Sequence, residues 1–331
     1  VYENIVSSVR KRVNTLHDYF NLRKKILRLE VLEHYDLRNP LIPLSSEEFD
    51  WKTACEDICE AFRPLGNRCS EMLREAFSKR WIDVLENKGK RSGAYSSGCY
   101  DSPPYILLNF NRTLDDVFTL AHELGHSFHS WLTNRTQPYH DAGISIFLSE
   151  IASNVCELLL HEYYSKKSDS VRSKLRLANH FADEFRGTVF RQAMFSEFEQ
   201  EIYRLRFEGE PLSADTVSEI YYSINRHYHG ANVSDDKTIA IEWARIPHFH
   251  YNFYVFKYVS GFAAAIKIVE KLKNERDFLE KYLHFLAGGS SAPAIKMLHD
   301  LGIFPEKEDF FDEAFCKFNS IIKEIENFSN I

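Results

Sequence analysis

The sequence predicts a mainly α-helical fold with a small antiparallel β-sheet packed beside one long helix. Two observations carry this. Apolar residues recur at three- and four-residue spacing along most of the 331-residue chain, and β-formers bounded by glycine and proline cluster in one stretch only, between Arg91 and Phe110. The hydrophobic share of 44% and the charged share of 27% are those of an ordinary globular protein, large enough to bury a sizeable core.

Taken in order, Ile5, Val9, Val13, Leu16 and Phe20 mark helix from about Tyr2 to Glu33, and Pro40 and Pro43 interrupt it. Ser45 or Ser46 would cap a second helix reaching about Phe62, Pro64-Leu65-Gly66 breaks it, and a third runs from about Asn67 to Arg80. Arg91–Tyr100 and Tyr105–Phe110 read as two strands. Gly93 and Gly98 fit a hairpin bend, or a sheet edge able to pair with an extended peptide, and both readings stay open. These glycines form no phosphate loop, because no Gly-Lys-Ser/Thr follows them.

Thr113 with Asp116 is a capping-box start for a helix bearing Val117, Leu120, Leu124 and Phe128 as a packed stripe and ending near Thr133-Asn134. Another helix begins near Leu148 and continues to Tyr164. A long pattern from Ser170 to Glu208 has the length of a kinked helix. Ser213 starts the next after Pro211. His248 to Lys271 reads as one helix with an aromatic head, Leu286–Pro293 as a Gly-Ser turn, and helices follow at about 293–300 and 307–327. No repeat or long linker divides the chain, so residues 1–331 read as a single domain.

Net charge of −7 with scattered Lys and Arg argues against a nucleic-acid partner. No apolar run reaches the roughly 18–20 residues of a membrane helix, so no membrane partner is expected. Six dispersed cysteines fit reduced thiols and a cytoplasmic location better than disulfide staples. Cys55 and Cys59, four apart, read as isolated thiols rather than a second metal site.

The chemistry is concentrated in His122-Glu123-Leu124-Gly125-His126. Positions i and i+4 of a helix share a face, so both imidazoles can reach one metal ion, and Glu123 lies about 100° round, able to touch a water without being a ligand. A catalytic zinc needs a third protein ligand. Glu150, on the next helix, stands at the third-ligand position of thermolysin-like enzymes, and Glu157, seven later on the same face, would hold a ligand histidine through its other nitrogen. The competing explanation is that both are the solvated face of an amphipathic helix. His129, His140 and Asp141 are competing ligands. A histidine ten residues after His122 is excluded because Leu132 stands there. The expectation is one Zn2+ per chain on His122, His126 and Glu150, with Glu123 as general base.

Phe118–Ser127, Gln137-Pro138-Tyr139, Ser149–Ser153, Arg91–Gly98, Pro104–Asn109, Thr188–Gln192 and Glu242–His248 together resemble oligoendopeptidase F, within the thimet oligopeptidase family of zinc metallopeptidases. The resemblance implies a zincin-like catalytic domain and hydrolysis of internal bonds of short peptides. Because family members are longer, it also implies that this chain is their C-terminal catalytic part. Dipeptidyl carboxypeptidase activity and a non-catalytic zinc- or peptide-binding fragment are the alternatives. A developing oxyanion needs neutral donors, and the resemblance assigns that role to a histidine and tyrosines. By position these are His248 and Tyr258, with Tyr251 and Tyr254 on the same expected helix face. Phe256 falls where relatives often carry tyrosine.

Overall fold

The computed structural model describes residues 1–42 and 48–329. In chain order its main elements are α1 (Tyr2–Arg10), α2 (Val13–Leu27), α3 (Trp51–Ala61), α4 (Gly66–Ser78), β1 (Ile82–Asp83), β2 (Tyr95–Ser97), β3 (Tyr105–Leu107), α5 (Leu114–Thr136) and α6 (Ile146–Lys167). After them come α7 (Val171–Phe185), α8 (Arg191–Phe207), α9 (Ala214–His229), α10 (Phe256–Asn274), α11 (Phe278–Leu286), α12 (Ala294–Asp300) and α13 (Asp312–Ser329). The mainly helical expectation holds.

Two compact units divide the chain. The first comprises Val1–Leu44, Asp169–Ser260 and Pro305–Ile331; the second comprises Ser45–Ser168 and Gly261–Phe304.

In the first unit α7 packs on α13, and α8 on α1 and α9. Its centre is aromatic: Phe185 stacks on Phe318 at 4.4 Å, and Phe190 meets Phe315 at 5.6 Å. Such pairs contribute about 0.5–1.5 kcal/mol each beyond their area. The expected long helix over 170–208 is α7 and α8 joined by a π-helical turn, Arg186–Phe190, which is where its regularity breaks. Arg23 is fully buried; it donates to Asp183 Oδ1 at 3.1 Å and to the Asp36 carbonyl at 3.1 Å, so its charge is paired as burial requires. Helix is interrupted between Arg10 and Val13, earlier than the periodicity suggests.

In the second unit α5 and α6 pack face to face, with α3, α4 and α11 around them. Ser45 and Ser46, the expected caps of α3, lie outside the described residues; Asp50 caps it by accepting from the Thr53 N–H at 3.0 Å. The two expected strands pair antiparallel, Ser96 opposite Ile106. A third strand, β1, adds in parallel to β3, so the sheet is mixed, in the order β1-β3-β2. That leaves β2 at an edge, beside α5.

Candidate metal centre

Helix α5 is fixed at its start by the expected capping box: the Asp116 N–H donates to Thr113 Oγ1 at 3.2 Å, and the Thr113 N–H donates to Asp116 Oδ2 at 2.8 Å. Val117, Leu120, Leu124 and Phe128 are buried and set the rotation of the helix. His122 and His126 then present their Nε2 atoms to each other at 3.1 Å. Glu150 Oε2, from α6, lies 3.5 Å from the first and 3.8 Å from the second. Metal–ligand bonds of about 2.0–2.1 Å in a tetrahedral site place ligand atoms roughly 3.3 Å apart, so these three edges match the size of such a site. Among the described residues this is the only group of three His, Cys, Asp or Glu close enough to hold a metal.

Glu157 Oε1 lies 2.5 Å from His122 Nδ1. A carboxylate there accepts a hydrogen bond from Nδ1–H, which fixes that tautomer and leaves Nε2 as the lone-pair donor. Burial disfavours a charged His122, but Glu157, with Glu150 and Glu123 behind it, outweighs that and holds the ring's pKa up at about 9 when no metal competes. His126, also buried, is pushed well below the ordinary value by burial and by His122.

Glu123 is 6% exposed, accepts the Ser96 backbone N–H, and keeps its Oε2 buried without a protein donor. Burial raises its pKa to about 7, although His122 opposes the rise. A carboxyl poised near neutrality with one unengaged oxygen suits proton transfer. The donor set and the unengaged oxygen both fit a resident metal ion.

The competing ligands stand elsewhere. His129 is a core residue whose ring stacks on Phe285 at 6.2 Å, and burial lowers its pKa to about 4. His140 pairs with Asp141 at 3.2 Å on the surface. All six cysteines are free.

Sequence reasoning did not find two glycines that shape this centre. A Cβ on Gly125 would stand 2.6 Å from Ser153 Cα and 2.8 Å from the Ala152 carbonyl, so its absence sets how closely α6 approaches α5. A Cβ on Gly261 would stand 3.1 Å from Glu150 Cβ. For Gly125 the only signal was a small residue inside the motif, and for Gly261 there was none. Ser96, whose amide reaches Glu123 and whose Oγ lies 2.9 Å from Ser127 Oγ, was equally hidden.

In the first unit the aromatic segment departs from expectation. His248 sits in a short 3-10 turn, Pro247–His250, and helix begins only at Phe256. Tyr251, Tyr254 and Tyr258 therefore do not share a helix face. Asn252 and Phe253 take positive φ values of 47° and 50°, and the Phe253 N–H donates to Glu199 Oε1 at 2.6 Å, which turns the chain before the helix can start. That turn still gathers the rings: Tyr254 is 5.5 Å and Tyr258 6.3 Å from His248, and Tyr251 is 5.9 Å from Tyr254. Phe249 packs on Phe195 and Phe198, at 5.3 and 5.0 Å, and is half-buried, as are Phe253 and Phe256. Glu242, just before this segment, accepts from Arg191 at 2.8 Å, from Tyr221 at 2.6 Å and from Arg245, joining two motifs that are distant in sequence.

The family model for peptidase family M3 matches residues 1–316. The chain is 40% identical over 327 residues to the oligopeptidase PepF of Bacillus subtilis, covering 98% of this chain and 49% of that one. It is 42% identical to the chromosomal oligoendopeptidase F of Lactococcus lactis subsp. cremoris, covering 98% and 54%. The solved oligoendopeptidase-F of Enterococcus faecium superposes with a TM-score of 0.77 at 32% identity, covering 99% of this chain and 52% of that one. A crystal structure from Chlamydophila abortus gives 0.87 at 38%, covering 99% and 55%. The chain spans about half the length of the curated relatives it matches. No helix among the described residues is long and apolar enough to cross a membrane. A family-wide sequence match, reinforced by the same fold at 32–38% identity, establishes that this chain belongs to peptidase family M3.

Proposed function

We propose that residues 1–331 act as the catalytic domain of a zinc-dependent oligoendopeptidase that hydrolyses internal bonds of short peptides. The observation that carries this is the convergence of His122 Nε2, His126 Nε2 and Glu150 Oε2 beside a buried Glu123 with one oxygen unengaged. His122, His126 and Glu150 would hold one zinc ion, and Glu157 would fix the His122 tautomer. Bound zinc supplies Lewis-acid polarisation of the scissile carbonyl and a water of near-neutral pKa. Glu123 takes the proton of the attacking water on its free oxygen and delivers it to the departing amine nitrogen. His248 and Tyr258 are proposed as neutral donors to the oxyanion, with Tyr251 and Tyr254 as further candidates; this assignment rests on the family resemblance. The six free cysteines support a reducing, cytoplasmic setting.

Glu123→Gln tests the scheme. It removes the base and keeps the ligands, so zinc stoichiometry should persist while hydrolysis of end-blocked peptides falls by several orders of magnitude. A fully active Glu123→Gln protein would sink the scheme. Cleavage restricted to peptides with a free C-terminus would instead favour a dipeptidyl carboxypeptidase.

A further inference from the structure

In the second unit β2 lies alongside α5, and a recess stands at each end of the pair. One, of about 690 Å³, is walled by Gly93 and Ala94 ahead of β2 and by Asp116 and Thr119 of α5. The other, of about 500 Å³, is walled by Gly98 and Cys99 after β2, by Ser130 and Asn134 of α5, and by the loop that holds Tyr139. Thr119 precedes His122 by three residues and Ser130 follows His126 by four, so the ligand group sits between the recesses. The eleven-residue step from Thr119 to Ser130 spans about 16 Å of helix. The five-residue step from Gly93 to Gly98, built around strand Tyr95–Ser97, covers at most about 16 Å. The two measures agree, and the span is that of about five residues of an extended peptide.

The recesses differ in chemistry. Glu86, Lys88, Lys90 and Asp116 put charge into the first, whereas among the described residues no Asp, Glu, Lys or Arg lines the second, which carries His140 against Asp141. In the second, Tyr139 is 77% exposed and meets Tyr100 edge-on at 5.5 Å. Pro104 and Ile144 add apolar wall, and the Tyr100 hydroxyl donates to the Gln137 carbonyl at 2.7 Å, which fixes that ring. The loop is pinned from behind. Gln137 Nε2 donates to the Ala287 carbonyl at 2.9 Å, and the Ser290 N–H donates to the Asp141 carbonyl at 2.8 Å. Gly289, at φ +54°, has no room for a side chain there, since a Cβ would fall 2.1 Å from that same carbonyl. A preformed recess with a half-free aromatic pair beside His140 suits a planar apolar group.

We propose that the recess at Tyr100 and Tyr139 is a substrate subsite for an aromatic side chain, placed about three residues from the scissile bond. The proposal rests on the peptidase reading and adds a preference to it. The test uses the zinc-loaded chain and end-blocked octapeptides of alanine and glycine, with one Phe or one Asp three residues from the cleaved bond, on each side in turn. Phe on one side should lower KM about tenfold against Asp. Tyr139→Ala, an exposed position whose loss should not unfold the chain, should cut that ratio below about threefold. An unaltered Phe/Asp ratio in Tyr139→Ala overturns the proposal.

A second readout needs no turnover. In a Glu123→Gln, Cys316→Ser protein, alkylation of Cys99 by iodoacetamide should slow with the Phe peptide and not with the Asp peptide. Equal rates overturn the proposal. If the parent chain cleaves neither peptide yet the Phe peptide shields Cys99, the peptidase reading fails and the subsite stands.

Discussion

Gly125→Ala adds one methyl group where α5 and α6 touch. The new Cβ would stand 2.6 Å from Ser153 Cα, 2.8 Å from the Ala152 carbonyl and 3.0 Å from the Ser153 N. Carbon–carbon contacts settle at about 3.5–4.0 Å, so the α6 backbone must retreat by roughly 1 Å. Glu150 lies one turn before Ser153 on that helix and moves with it, while metal–ligand bonds tolerate only about 0.2 Å. Overpacking costs about 1–3 kcal/mol, and the better helix propensity of alanine returns about 1 kcal/mol. A net stability loss of about 0–2 kcal/mol follows, with zinc affinity down about 10- to 100-fold. Urea unfolding of the metal-free protein reads the first, and competition with a chromophoric chelator reads the second. Gly187→Ala is the control, because its Cβ would meet nothing within 4 Å. A Gly125→Ala protein with native zinc affinity and raised stability would refute the idea that this contact sets the ligand geometry.

Two further tests probe the surroundings of the chemistry. Glu157→Ala removes the carboxylate 2.5 Å from His122 Nδ1 and should weaken zinc binding about 10- to 100-fold with less effect in Glu157→Gln; equal effects would show that Glu157 does not brace the ring. Burial pushes the Glu242 carboxyl up, but Arg191, Tyr221 and Arg245 overcome it and hold its pKa at about 2, below its ordinary 4.5. A depressed folded value means stability present above about pH 4.5 and lost as pH falls toward 2. The advantage of the parent over Glu242→Gln in urea unfolding should therefore be roughly 2–3 kcal/mol at neutral pH and fade across that window. An advantage that stays constant with pH would contradict the ion-pair account.

Local patterns carried much of this molecule into view. The capping box at Thr113 and the buried stripe on α5 are short-range features, and the His122–His126 spacing follows from helix geometry alone. Glu150 was legible because it rides the next helix at a plausible distance. Features decided by long-range contact were hidden. β1 is two residues long and exists through pairing with β3. The close approach at Gly125 depends on which residue of α6 faces it. The turn at Asn252-Phe253 needs Glu199, more than 50 residues earlier, to hold it, and periodicity read that segment as helix instead. The division into two units arises from segments that leave and return, a pattern with no linker to mark it.

The central claim is that His122, His126 and Glu150 bind one zinc ion. Atomic absorption on the purified parent chain and on Glu150→Ala, dialysed against the same trace-metal buffer, tests it most directly. The account expects about one zinc per parent chain and close to none in Glu150→Ala, both with the same helical circular dichroism. Equal zinc content in the two proteins would contradict it and assign the third ligand to another residue.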